Sequence, residues 1–145
     1  MFLSHVEIQC ADFAKSAQFY DAVMATLGAG RREDKSPYAI GYGVHGPDFW
    51  IGTFVSGTGF RESHIAFAAE TNEQVDAFVE AARALGYEVL HEPREWPEYT
   101  GDAVAGYYAG FVRDPDGNNI EAAVCVLDLP WLDKPTAWAG GRDRA

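Results

Sequence analysis

Two stretches of the chain follow one plan 59 residues apart. His5-Val6-Glu7-Ile8 and His64-Ile65-Ala66-Phe67 open them, Asp12 and Thr71 follow, and Phe19 and Phe78 fall at matching places. Leu27-Gly28 and Leu85-Gly86, 58 apart, close them. A fixed period of this length marks a duplicated supersecondary unit. Whatever fold the first stretch adopts, the second is expected to repeat it.

The local chemistry of each stretch reads as a strand followed by a helix. Asp12 is placed to cap a helix by accepting from a free backbone N–H. Phe13, Ala17, Tyr20, Met24 and Leu27 then recur at helical spacing as one apolar face. Thr71 with Gln74 is a capping-box pattern, and Val75, Phe78, Ala82 and Leu85 form the second face. Gly28 and Gly86 end the two helices. Short strand-like runs follow each helix: Arg31–Lys35, Ala39–Val44 and Phe49–Val55, then Glu88–Glu92, Tyr107–Arg113 and Asn119–Val126. Asp114-Pro115-Asp116-Gly117 is a turn, and Pro93–Gly106 reads as a loop. The expected architecture is α+β, with two βαβββ modules (about 1–56 and 60–126) in a single domain. Residues 127–145 are expected to form an irregular tail that packs through Trp131, Leu132 and Trp138.

A chain of 145 residues suffices for one domain with a buried core. No apolar run reaches the roughly 20 residues that span a bilayer, and the N-terminus lacks a basic-then-apolar secretory pattern. A cytoplasmic location is expected. The net charge of −11 disfavours nucleic acid and anionic membranes as partners; it serves solubility or attracts a cationic ligand. Cys10 and Cys125 form no disulfide framework, which fits a reducing compartment.

Strand side chains alternate between faces. His5, Glu7 and Gln9 share one face, opposite Val6, Ile8 and Cys10. His64, Ala66 and Ala68 lie opposite Ile65 and Phe67. Asn119, Glu121, Ala123 and Cys125 lie opposite Ile120, Ala122 and Val124. Each time the bulky apolar side suits a helix, and the other side carries His5, His64 or Glu121. A lone strand histidine is ordinarily a hydrogen-bonded structural residue, and a lone glutamate a solvated one. Two imidazoles and a carboxylate that converge would instead hold a divalent metal and leave positions free for substrate.

The chain resembles the vicinal oxygen chelate superfamily, which includes glyoxalase I, bleomycin-resistance proteins, fosfomycin-resistance transferases and extradiol dioxygenases. The match rests on His5-Val6, Ser16, Phe19-Tyr20, Leu27-Gly28, His64-Ile65-Ala66-Phe67 and above all the run Phe111 to Glu121. It covers about Leu3 to Val126. The resemblance implies a glyoxalase-like fold in which the paired modules form a curved mixed-sheet cup around a divalent metal (Zn, Fe, Mn, Ni or Co), with His5, His64 and Glu121 as ligands. It also implies a homodimer. Glyoxalase I enzymes place a further metal-binding Glu on the last strand of the first module; here that region reads Phe49-Trp50-Ile51-Gly52-Thr53. The departure argues against a true lactoylglutathione lyase and toward a three-ligand site.

The function so implied is a metal-dependent enzyme acting on a small substrate with vicinal oxygens, the metal serving as Lewis acid or, if it is iron, binding dioxygen. Lyase, isomerase, dioxygenase and transferase chemistry stay open. Glu121 and Glu7 are the candidate catalytic carboxylates, Glu7 as a general base about 7 Å along the strand from His5; a solvated or supporting carboxylate is the other reading. Trp50, Tyr107 and Tyr108 are candidate substrate-pocket residues, with core packing as the other reading. Arg61 and Arg94 are candidate anion contacts. The competing function is a non-catalytic protein of the bleomycin-resistance type that sequesters a cationic ligand.

Overall fold

The computed structural model describes residues 3–54 and 59–127. Their order is β1 (Val6–Gln9), α1 (Phe13–Thr26), β2 (Gly30–Lys35), β3 (Ala39–Gly43), β4 (Phe49–Gly52), β5 (His64–Ala68), α2 (Asn72–Ala84), β6 (Val89–Glu95), a 3₁₀ turn (Pro97–Tyr99), β7 (Val104–Arg113) and β8 (Asn119–Leu127). The strands form two four-stranded mixed sheets, ordered β1-β4-β3-β2 and β5-β8-β7-β6. In each sheet the first strand runs parallel to the last, and the remaining pairs are antiparallel. The sequence repeat is therefore a repeat of topology. The fold is α+β, built of two βαβββ modules. Residues 128–145, including Trp131, Leu132 and Trp138, lie outside the described residues, as does Val55.

The helix signals act as their chemistry requires. Asp12 accepts from the Lys15 N–H at 3.1 Å. Thr71 accepts from the Gln74 N–H at 3.3 Å. The Gln74 side chain reaches back one residue further than a capping box does, and accepts from Glu70 N at 2.7 Å. Gly28 and Gly86, at equivalent places, take φ of 72° and 84°, the left-handed conformation that closes a helix at little cost only in glycine. On α1 the buried face is wider than the spacing predicts, because Ser16, Phe19 and Val23 are buried beside Ala17, Tyr20 and Met24. The helix packs against α2 as well as its own sheet. The Phe19 ring meets Tyr87 of the second module edge-on at 5.0 Å, and Phe49 meets Phe67 likewise at 5.0 Å. One apolar core thus runs through both modules.

The segment Pro93–Gly106 is a correction to the sequence reading. Strand β6 continues through Pro93 to Glu95, and β7 begins at Val104. Proline lacks the N–H that a ladder needs, which normally argues against a strand. Here β6 is an edge strand, and its register shifts between His91 and Arg94. The bulge places Pro93 where no donor is required.

The turn between β7 and β8 joins the modules. Asp114 is only 3% exposed. Its Oδ1 accepts from the Asp116 and Asn118 N–H groups, and its Oδ2 from the Asn118 side-chain amide and the Tyr20 hydroxyl, the last at 2.7 Å. Asp116 accepts from the Ala11 N–H at 2.8 Å and the buried Ser16 hydroxyl at 3.3 Å. Asn118 Oδ1 takes the Ser63 N–H at 2.9 Å, just ahead of β5. Burial, then the Asp114 charge, hold the Tyr20 hydroxyl well above its ordinary pKa, so it remains a donor. Removing one donor to a buried carboxylate costs about 1.5–3 kcal/mol. Tyr20→Phe is expected to lower the urea-unfolding free energy by that amount with an unchanged m-value; a loss below about 0.5 kcal/mol would show that the bond carries no stability.

Candidate metal centre

The register of the second sheet sets four residues in one row on one face: His91 on β6, Phe111 on β7, Glu121 on β8 and Ala66 on β5. The neighbouring row brings His64 beside Asn119. Glu121 is 2% exposed, yet it lies in a cavity of about 440 Å³ that His64, His91, Tyr99, Tyr107, Phe111 and Asn119 also line. A carboxylate so buried needs partners, and it has two. Tyr107 donates its hydroxyl to Oε1 at 2.6 Å, and His64 sets Nε2 3.0 Å from Oε2. Phe111 forms the floor, with the His64 ring stacked on it at 6.0 Å and His91 edge-on at 5.4 Å. Trp96 packs edge-on against Phe111 at 5.1 Å, its indole N–H bonded to the Ala109 carbonyl.

This donor set suits a divalent ion. Two ligands about 2.1 Å from a metal and at right angles to each other stand about 3.0 Å apart, the spacing of His64 Nε2 and Glu121 Oε2. In the same cavity Asn119 Oδ1 is buried with no hydrogen-bond partner among the described residues. An orphaned acceptor of this kind is costly unless a ligand or water supplies the donor.

His5 does not join them. It immediately precedes β1 and lines a separate cavity of about 500 Å³ with Glu7, Lys35, Asp48 and Trp50. Its Nδ1 is 3.2 Å from the Ser4 hydroxyl. Among the described residues no three His, Cys, Asp or Glu side chains form a group able to hold a metal. One chain thus brings together two of the three proposed ligands, His64 and Glu121. Strand parity fixes a side chain's face but not which cavity that face meets, so the sequence did not reveal the separation.

The pocket residues divide likewise. Tyr107 belongs to the Glu121 cavity and Trp50 to the His5 cavity. The Trp50 indole N–H donates to the Pro47 carbonyl at 2.8 Å, and Lys35 stands 5.5 Å from its ring. Tyr108 is a correction: successive strand residues point to opposite faces, and Tyr108 turns to α2, donating to Asp76 at 2.8 Å. Its hydroxyl is pushed up to about 12, first by that bond and then by burial. Burial and the bond to Glu121 raise the Tyr107 hydroxyl above its ordinary value too. Arg94 stacks on Trp96 at 3.4 Å and pairs with Glu98 at 2.7 Å, so its charge is already committed. Arg61 lines a third cavity with Glu7 and Gln9. Cys10 is buried, Cys125 exposed, and both are free.

Sequence reasoning missed His91, Tyr99, Phe111 and Asn119 as lining residues. Phe111 and Asn119 share parity with Tyr107 and Glu121 and were accessible to the face argument. His91 was not, because the register shifts on either side of it. If Tyr107 is a partner of a buried carboxylate and Tyr108 of an exposed one, removing their hydroxyls has unequal effects. Tyr107→Phe is expected to cost about 1–3 kcal/mol of unfolding free energy, and Tyr108→Phe about 0.5 kcal/mol. Equal losses in denaturant titrations would contradict this placement.

The sequence profile of the Glyoxalase/Bleomycin resistance protein/Dioxygenase superfamily matches residues 2–122. The crystal structure of a glyoxalase/bleomycin resistance protein from Albidiferax ferrireducens T118 is similar, with a TM-score of 0.72 and 34% identity over 86% of this chain and 99% of that one. The uncharacterized protein YqjT of Bacillus subtilis (strain 168) is 29% identical, covering 82% of this chain and 95% of its own length. The lactoylglutathione lyase of Agrobacterium tumefaciens shares the fold, with a TM-score of 0.62 at 18% identity over 84% of this chain and 92% of that one. With two βαβββ modules and a profile match over nearly all the described residues, the chain belongs to the Glyoxalase/Bleomycin resistance protein/Dioxygenase superfamily.

Proposed function

We propose that the protein is a divalent-metal-dependent enzyme acting on a small substrate with two neighbouring oxygens. The observation that carries the reading is the His64–Glu121 pair, 3.0 Å apart in an aromatic cavity. These two residues hold the ion from the second module. His5, at the equivalent place in the first module but in another cavity, completes the site from a second copy of the chain, so that a symmetric dimer carries two sites. When bound, a divalent ion (zinc, iron, manganese, nickel or cobalt) supplies Lewis acidity toward a substrate oxygen.

The chain's own residues do the rest. Tyr107 ties up Oε1 of Glu121 and leaves Oε2 toward His64, which fixes the carboxylate's orientation before substrate arrives. Phe111, His91 and Tyr99 present planar walls, and their bulk restricts water around the reacting oxygens. The Trp50 indole walls the His5 cavity on the strand where the resemblance to glyoxalase I enzymes implies a carboxylate, which favours a different substrate. The aromatic lining beside Glu121 and the charge of −11 support a second reading, sequestration of a cationic ligand without chemistry.

Metal analysis tests the assignment. The wild type is expected to retain about one divalent ion per chain, and His5→Ala, His64→Ala and Glu121→Ala to lose it. His5→Ala and His64→Ala, unfolded and refolded together, are expected to recover about a quarter of the wild-type metal, because half the dimers are mixed and each mixed dimer has one intact site. No recovery overturns the shared site; near-zero metal in the reloaded wild type overturns the metal reading.

A further inference from the structure

The open face of the first sheet holds two opposite charges apart. Its register sets Lys35 on β2, Ala39 on β3, Gly52 on β4 and Gln9 on β1 in one row, with Glu7, Trp50 and Gly41 in the next. Residues aligned in this way, or two apart along a strand, share a face. Lys35 and Glu7 are both exposed, and both line the cavity of about 500 Å³ that His5 enters. Elsewhere the chain's cations find carboxylates: Arg31 bonds Asp21 and Asp34, Arg83 bonds Glu80 and Glu92, and Arg113 bonds Glu62. Lys35 and Glu7 form no ion pair with each other or with another of the described residues.

The surroundings keep them separate. Lys35 leans on the Trp50 ring, its ammonium 5.5 Å from the centroid. Glu7 leans over Gly52, where a Cβ would stand 2.5 Å from its Oε1. From Gly52 to Lys35 is two strand spacings, about 10 Å, and in that row only the Ala39 methyl stands between them. The indole beside this bay is fixed. Its N–H donates to the Pro47 carbonyl at 2.8 Å, and it lies across Gly41, where a Cβ would stand 2.7 Å from the ring. Asp48, the other carboxylate of the cavity, turns toward Gly43 and Gly46. The bay therefore has a cation on one side, a carboxylate on the other, a floor of small residues and an aromatic wall.

We infer that this bay binds the zwitterionic head of an amino-acid-like substrate, its carboxylate at Lys35, its ammonium at Glu7 and its apolar part against the Trp50 indole. Closing the bay as an ion pair would gain little, because both groups are solvated; a ligand that bears both charges meets two partners at once. A zwitterion carries no net charge, so the chain's −11 does not repel it at long range, and recognition falls to the bay. The inference rests on the enzyme reading above only in calling the ligand a substrate; the binding itself needs no ion.

The test uses the full-length, metal-free protein and three probes of one shape: phenylalanine with both charges, 3-phenylpropionate with the carboxylate alone and 2-phenylethylamine with the ammonium alone. Binding is read from the Trp50 indole N–H signal in NMR titrations, identified among the four tryptophans by Trp50→Phe. Phenylalanine is expected to bind about tenfold more tightly than either single-charge probe, the factor carried by one hydrogen bond to a charged group. Lys35→Met is expected to lower phenylalanine to the level of 2-phenylethylamine, and Glu7→Gln to lower it to the level of 3-phenylpropionate while leaving 3-phenylpropionate itself unchanged. Equal affinities for the three probes, a preference for 2-phenylethylamine, no movement of the Trp50 signal, or wild-type phenylalanine binding in either variant would overturn the inference. Loss of the metal reading with these titrations intact would leave the zwitterion site standing.

Discussion

The carboxylate of Asp114 holds the two modules in one arrangement. Four donors converge on it at 3% exposure: two backbone amides of its own turn, the Asn118 amide, and the Tyr20 hydroxyl from the first module's helix. A buried charge is tolerated only when it is this fully satisfied, so the turn, the start of β5 and the helix α1 are coupled through one group. Phe19 against Tyr87 and Phe49 against Phe67 add apolar contact across the same junction. Shifting either module would strand the carboxylate. The spacing between the His5 and His64 faces within a chain is set by this junction, and with it the division of the candidate ligands between two cavities.

The faces divided in this way have diverged. The second module's face is aromatic and carries its carboxylate deep, at 2% exposure, under a tyrosine and a histidine. The first module's face is built on Gly41 and Gly52, with one indole laid flat and its carboxylate out on the edge strand. Duplication supplied two equal frames, and side-chain exchange at register-related positions made one a preorganised pocket and the other an open, polar counterpart.

Much of this was legible in the sequence. The 59-residue period, the caps at Asp12 and Thr71 and the glycines at 28 and 86 are local signals, and local physics sufficed to read them. Alternation correctly put His64 and Glu121 on one face of their strands and Ile65 and Ile120 on the other. What stayed hidden was non-local. The stretch Phe111 to Glu121 was conspicuous as a motif, but that Asp114 serves Tyr20, 94 residues away, depends on how the helix returns over the sheet. Pro93 was misread because its tolerance comes from an edge position and a bulge that only strand order reveals. Tyr108 was grouped with Tyr107, although the alternation that sorted the other strands separates them.

The bulge at Pro93 also bears on how the sheets meet other molecules. Strand β6 is an outer edge, and a proline in a shifted register offers an incoming strand no continuous ladder. The corresponding outer edge of the first sheet, β2, runs Gly-Arg-Arg-Glu-Asp-Lys and is exposed along nearly its whole length; that density of mixed charge has the same effect. The remaining edges are β1, which His5 immediately precedes, and β5, which His64 opens. Sheet-to-sheet growth is closed off on two sides, which turns any strand-edge contact between molecules toward the strands that bear the candidate ligands and away from open-ended aggregation.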